Sequence, residues 1–536
     1  MYGPGARPTA IRVGLAAALR AAGGSLSRVP VMVGAPLRLD DVVAVARGER
    51  VELASDAASR IDAAREVVRA KAAAGETVYG VTTGFGSLAN VRVPAGSTAE
   101  LQHAILRSHA TSVGRPLAHD ETRAMLFLRA HVLALGHSGV RREVVDRMIE
   151  LLNRDLVPVV PERGSLGASG DLAPLAALAL PLIGGGSLVV DGRAVPAADA
   201  LLSAGLEPLS LVEKEGLALV NGTQGMMAVG ILAAERVRRV TLAADVAAAM
   251  TVEAVFGTDR AFDERLQALR PHAGQAASAA NLRRLLEGSA IIASHRESDH
   301  LVQDAYSLRC APQVHGATRD VLAYASSVLE VEASSVSDNP IVLPEADDVL
   351  SGGNFHGQPV AVALDALALA TVGTASISER RLYRMLDPAT SHGLPAFLVH
   401  RSGVNSGFML AQYTAASLVS ECKSVAHPAS VDSIPSSAGQ EDHVSMGMTA
   451  ARHAREIVEA AELVVAIEVV AATQALDLRA PLAPAAGTRA ARDAVRAIVP
   501  FLDRDRELAP DIHAVVRSVR EGSLVDAVQR EVGELG

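Results

Sequence analysis

SMGMTAARHAREIVEAAELVVAIEVVAATQALDL, residues 445–478, is the longest uninterrupted helical pattern in the chain. It has no proline, and its only glycine is Gly447, close to its start. Its apolar side chains cover most of the helical circumference instead of one stripe. Such a helix must be covered on several sides, inside a bundle or at a subunit interface. Further long helical patterns run over residues 225–255, 360–385 and 405–425. The expected fold is all-α with minimal β structure: a globular N-terminal part followed by a bundle of long central helices.

The same period continues upstream, with helices expected over residues 39–47, 55–74, 97–113, 120–135 and 141–153. SLVVDGRAV, residues 187–195, is the exception. Its Asp191-Gly192 pair suits a type I′ hairpin turn. After Pro271 the chain reads as polar and irregular through His300, then returns to helix at Asp304 and over residues 317–334. Three units are expected. Residues 1–38 are a loosely ordered extension, 39–224 an N-terminal domain, and 225–536 the helical bundle.

Composition excludes several function classes. The chain has 536 residues and a net charge of −10, with no Lys/Arg cluster, which argues against a nucleic-acid partner. No run reads as long and apolar enough to cross a bilayer, so no membrane partner is expected. Two cysteines, Cys310 and Cys422, cannot build a disulfide framework and suit a reducing, cytoplasmic compartment. The first acidic residue is Asp40, after Arg7, Arg12, Arg20 and Arg28. That start is faintly transit-peptide-like, but it has no continuous apolar segment and no cleavage site.

The helices are chemically bland and their interruptions are not. Tyr, His, Asn, Arg, Glu and Gly gather at residues 79–86, 108–109, 221–223, 306–309, 354–356 and 440–443. Another interruption is GSLGASGDLAPLA, residues 164–176. If the backbone bends tightly at Ala168-Ser169-Gly170, the amide nitrogen of Gly170 can attack the carbonyl carbon of Ala168. Small residues permit that approach. Loss of two waters, one from the Ser169 side chain, leaves a five-membered ring with an exocyclic methylene. This is an electrophile made from the chain itself, with no external cofactor. Asp171 either orients this loop or favours a helix N-terminus.

GSLGASGDLAPL resembles the signature of the methylidene-imidazolone (MIO) ammonia-lyases and aminomutases. YGVTTGFG (79–86), EGLALVNGTQ (215–224), QDAYSLRCAPQV (303–314), SDNP (337–340), GGNFHGQP (352–359) and GVNSGFMLAQ (403–412) resemble further blocks of that family, in family order. The resemblance covers about residues 78–511 and implies the family's all-α, fumarase-like fold. It also implies site roles. The MIO ring forms from Ala168, Ser169 and Gly170, and Tyr79, its hydroxyl pushed down to act as phenolate, removes a β-proton. Arg309 clamps the substrate carboxylate, and Asn221 bonds the same end of the substrate or the ring. Tyr306 sits near the amine, and Phe355 packs against the ring. Ser108-His109 and Glu441 resemble the histidine-acting branch, where a histidine and a carboxylate suit an imidazole.

The resemblance therefore implies elimination of ammonia from L-histidine to trans-urocanate, by a homotetramer whose pockets are shared between chains. Tyrosine ammonia-lyase or tyrosine 2,3-aminomutase activity is the alternative, because Gly357-Gln358 resembles that branch. Gly439 also departs from the expected Asn. Other readings are a catalytically inactive helical scaffold, or a serine nucleophile at Ser169, although GxSxG is absent. SHRESDH (294–300) and QEDH (440–443) lack the cysteine or clustered third histidine that would complete a metal site, so no metal is expected.

Overall fold

A computed structural model describes residues 29–298 and 302–536. The fold is all-α, as its periodicity implies. Strands among the described residues are two to four residues long and form small sheets at the margins. The expected hairpin is present, Ser187–Val190 pairing with Arg193–Pro196, and Asp191 and Gly192 take φ values of +49° and +75° as a type I′ turn requires.

Seven helices position the candidate residues: α1 (Leu172–Ala179), α2 (Glu215–Val220), α3 (Gln224–Ala254), α4 (Ala311–Ala333), α5 (Gln358–Leu386), α6 (Met409–Val425) and α7 (Gly447–Leu478). The all-round apolar pattern of α7 is explained by its neighbours, since it packs along α3, α5 and α6. Helix α4 lies against α3 and α5. One continuous hydrophobic cluster runs through the chain from Val33 to Leu535.

Three expectations need correction. Residues 1–28 lie outside the described residues, but 29–38 belong to the fold. There Val31–Val33 pairs in parallel with Val51–Leu53. The stretch after Pro271 is not irregular: it forms helices Ala273–Leu286 and Ala290–Ser294. Its polar residues misled the reading because they point inward. Ser278 Oγ and Asn281 Nδ2 donate to the buried carboxylate of Asp245 at 2.6 and 2.9 Å. Finally, α5 is long and apolar enough to cross a membrane by length and composition, but most of its apolar stretch is buried within the bundle.

The central helices are cross-linked by a buried ion pair. Arg381 on α5 grips Glu468 on α7 through two hydrogen bonds of 2.6 and 2.8 Å. Thr251 on α3 and Ser378 on α5 donate to the same carboxylate at 2.8 and 2.6 Å. All four side chains are buried. Removing one partner of such a pair strands a buried charge, which costs about 3–5 kcal/mol. Glu468→Ala is therefore expected to lower unfolding stability by about that amount, measured as the shift in denaturant midpoint. A loss below about 1 kcal/mol would show that the pair is not the clamp described.

Candidate active site

The tripeptide is bent as the sequence requires. Ser169 has φ +51° and Gly170 +78°, and Gly167 and Gly170 bridge back onto each other. Gly170 admits no side chain, because a Cβ there would lie 2.1 Å from the carbonyl oxygen of Gly222. Two hydrogen bonds fasten this approach. Asp171 N donates to Gly222 O at 2.7 Å, and Gly222 N donates to Ser169 O at 3.2 Å. The Ala168 side of the loop meets the start of α7: Met446 N donates to Leu166 O at 3.3 Å, and Ser445 lies against Gly167.

Asp171 is fully buried where α1 begins and ties it to the start of α3. Its carboxylate accepts from Ser165 Oγ and from Met226 N, each at 2.7 Å. Burial pushes its pKa up to about 6; the hydrogen bonds oppose the rise, and Glu332 nearby adds to it. Glu332 itself accepts from Thr223 Oγ1 at 2.5 Å. Thus Asp171 holds the loop by hydrogen bonds as well as standing at a helix start.

Asn221 is buried at the C-terminal end of α2, next to Gly222. Its Nδ2 donates to the carbonyl of Asn339 at 2.7 Å, and its carbonyl accepts from Arg129 Nη1 at 2.9 Å. Its Oδ1 is buried without a hydrogen-bond partner. Arg129 is wholly buried, which pulls its guanidinium down to about 10. It also bonds Gln224 Oε1 at 2.7 Å and the carbonyl of Ala218.

A second group is made by the adjoining loops that carry Tyr79 and Glu441, whose charge is felt at His109, the last residue of helix Thr98–His109. Loop 79–88 rests on a small apolar cluster containing Val68, Val78, Val81 and Val342. The Tyr79 hydroxyl accepts from Gly86 N at 3.0 Å, and Phe85 packs edge-on to its ring. Ser437 fastens the loop carrying Glu441 to this segment by accepting from Ser87 N at 3.0 Å. Ser436 Oγ donates to Glu441 Oε2 at 3.0 Å. Glu441 acts electrostatically on both Tyr79 and His109. The expected lowering of the Tyr79 hydroxyl is not found in this chain. Burial pushes it above its ordinary value and Glu441 adds to the rise, with the Gly86 N–H opposing. Burial pulls His109 down, against Glu441. The two groups are joined through α2, where Leu217 lies against Gly80 and Asn221 follows at the helix end.

Tyr306 and Arg309 occupy one turn of helix, Tyr306–Arg309, with the guanidinium 4.6 Å from the ring centroid. Tyr306 is 72% exposed in the single chain. Among the described residues neither forms a hydrogen bond or ion pair with the other candidates, and Arg309 Nε is buried without a partner. Phe355 is half-buried. Its loop is held at one end by Gly352 N donating to Asn339 Oδ1 at 2.8 Å. At the other end Gly357 lies against Met226 and Ser445.

The described residues contain no group of three or more metal-ligating side chains. A cavity of about 810 Å³ bounded by Arg265, Arg283 and Glu287 includes none of the candidates. Sequence reading missed the supports of the site: Arg129, Glu332, and the buried pair Lys214–Asp338, whose Nζ–Oδ2 distance is 2.9 Å. A signal existed for Lys214, since the chain has only three lysines and this one directly precedes EGLALVNGTQ.

A family model described as aromatic amino acid lyase matches residues 37–497. A histidine ammonia-lyase of Gloeobacter violaceus is 52% identical over 94% of this chain and 98% of its own length. Among solved structures, a histidine ammonia-lyase from Trypanosoma cruzi superposes with a TM-score of 0.87 at 42% identity, covering 94% of this chain and 96% of that one. A tyrosine aminomutase from Streptomyces globisporus reaches a TM-score of 0.90 at 38% identity, covering 95% and 100%. With a match across most of its length and a bent Ala-Ser-Gly at its centre, this chain belongs to the aromatic amino acid lyase family.

Proposed function

We propose that this chain is a carbon–nitrogen lyase that eliminates ammonia from L-histidine to give trans-urocanate. It would do so through an MIO ring condensed from Ala168, Ser169 and Gly170. The observation that carries the substrate assignment is that the Glu441 carboxylate acts electrostatically on both His109 and Tyr79. A carboxylate and a neutral imidazole can accept from, and donate to, the ring nitrogens of histidine. Relatives that match over nearly their whole length carry the same activity in their names. The cradle suits the ring: the backbone at Ser169 and Gly170 is already bent, and Gly222 presses on Gly170 where a side chain would forbid contact.

When formed, the ring supplies a methylene electrophile for the substrate amine. The rest falls to side chains. Arg309 has no carboxylate partner among the described residues, so its guanidinium fork is free to take the substrate carboxylate. Tyr306 stands beside it near the amine, Phe355 packs against the ring, and Asn221 offers an acceptor at the same end. Tyr79 removes the β-proton as phenolate. The assembly is a homotetramer with pockets completed by neighbouring chains. In the single chain Tyr324 and Val331 on α4, Leu369 and Tyr383 on α5, and Leu410 and Tyr413 on α6 are exposed, apolar surface that suits burial against copies.

The tyrosine reading keeps one supporting observation, Gly357-Gln358, which resembles that branch. Ultraviolet absorbance separates the two. Urocanate should accumulate from L-histidine, and coumarate from L-tyrosine with no product from histidine would overturn the assignment. Ser169→Ala should abolish both turnover and the mass deficit of two waters. A full-mass parent protein would instead leave the inactive scaffold. Glu441→Gln should lower kcat/KM for histidine about ten-fold or more, since it removes a charge-assisted hydrogen bond.

The pH profile tests Tyr79. Burial raises the Tyr79 pKa above its ordinary value, so the phenol is the resting form at neutral pH. If phenolate is the base, kcat/KM should climb about ten-fold per unit on the alkaline side, and Tyr79→Phe should remove that limb. A flat parent profile from about pH 7 to about pH 9 would exclude Tyr79 from the role.

A further inference from the structure

The orphaned Oδ1 of Asn221 is not an accident of rotamer. The atom facing the Asn339 carbonyl must be Nδ2, because a carbonyl only accepts. That contact leaves Oδ1 buried, unpartnered and an acceptor. Asn339 is itself held. Its amide donates to Asp338 Oδ1 at 2.7 Å, and its own Oδ1 accepts from Gly352 N at 2.8 Å. The second oxygen of Asp338 accepts from Lys214 Nζ at 2.9 Å. Lys214 and Asp338 are both 0% exposed.

The geometry makes one device of these contacts. Lys214 immediately precedes α2 and Asn221 immediately follows it. Both reach the same turn, residues 337–340, so α2 is gripped at its two ends by Asp338 and Asn339. Arg129 closes the third side through the carbonyls of Ala218 and Asn221. A buried ammonium–carboxylate pair contributes little net stability over apolar packing, but its fixed geometry holds the turn that Asn221 meets.

We propose that Lys214 and Asp338 are positioning residues which, through the Asn339 carbonyl, hold Asn221 Oδ1 as the acceptor for the substrate's ammonium group. This rests on the proposed amino-acid lyase function. It assigns Asn221 to the amine and not to the carboxylate, because a carboxylate cannot donate to Oδ1. It also separates the duties of the site, with Arg309 taking the anionic end and Asn221 the cationic end.

The test uses the full chain in a Ser169→Ala background, where L-histidine can bind without turnover. Affinities for L-histidine and for its deamino analogue, imidazole propanoate, are measured by calorimetry. Lys214→Met should weaken L-histidine about ten-fold, the scale of one charge-assisted hydrogen bond, and leave the deamino analogue within about two-fold. Equal losses for both ligands, or none, would overturn the proposal. Asp338→Asn provides a second, milder variant with the same expectation should Lys214→Met fail to fold. Collapse of both variants would make the pair a structural clamp only and equally overturn it. If the Ser169→Ala protein binds L-tyrosine and not L-histidine, the substrate assignment fails separately. Tyrosine and its deamino analogue then decide the positioning role by the same difference.

Discussion

A main-chain contact that tolerates no side chain stands at the centre of this molecule. Gly170 approaches the carbonyl of Gly222 so closely that a methyl group on Gly170 would overlap it. Gly222 cannot retreat, because it is itself hemmed in by Arg129, Gln224 and the carbonyl of Ser337. The bend at Ser169 is therefore imposed by backbone on backbone, with little freedom to relax. Asp171 adds a second tether by accepting from the backbone of Met226 in the first turn of α3. Residues brought together from distant parts of the chain thus press on three small ones.

That pressure needs a rigid support, and the long helices provide it. Toward their C-terminal ends α3 and α5 are joined to α7 by the Arg381–Glu468 pair and the hydroxyls of Thr251 and Ser378. The helix starts and the connecting loops are left to carry the candidate residues around the tripeptide, the usual division between scaffold and site. The same division explains why the candidate residues form two groups. The bent tripeptide belongs to the helix starts, whereas Tyr79 and Glu441 belong to loops fastened to each other by Ser437, and His109 ends the helix Thr98–His109.

Much of this was legible in the sequence, for a physical reason. An apolar surface wrapping a whole helix must be covered on all sides, and the charged residues interspersed along α7 favour a bundle over a membrane, so α7 and its neighbours declared the bundle. Glycine and polar clusters break that pattern wherever chain must bend or bind, so the tripeptide and the loop candidates stood out. What failed was polarity turned inward. Ser278 and Asn281 look like loop residues in a string of letters, and only the buried Asp245 explains them. The Lys214–Asp338 pair was hidden because its partners are remote in sequence and each reads alone as a surface charge. The raised hydroxyl of Tyr79 was hidden too, since burial depends on neighbours that only the fold assembles.

The bracing of the tripeptide also sets a timetable for biosynthesis. Leu166 and Gly167 are held by Ser445 and Met446, and Gly170 by Gly222. A ribosome completes the tripeptide long before it reaches those partners. A nascent chain therefore carries Ala168-Ser169-Gly170 as an ordinary, unreactive peptide. Only after the start of α7 has docked is the loop held on both sides of the tripeptide. The proposed electrophile, which would be hazardous on an unfolded polypeptide, would thus be withheld until those contacts are made, and its appearance would certify correct assembly.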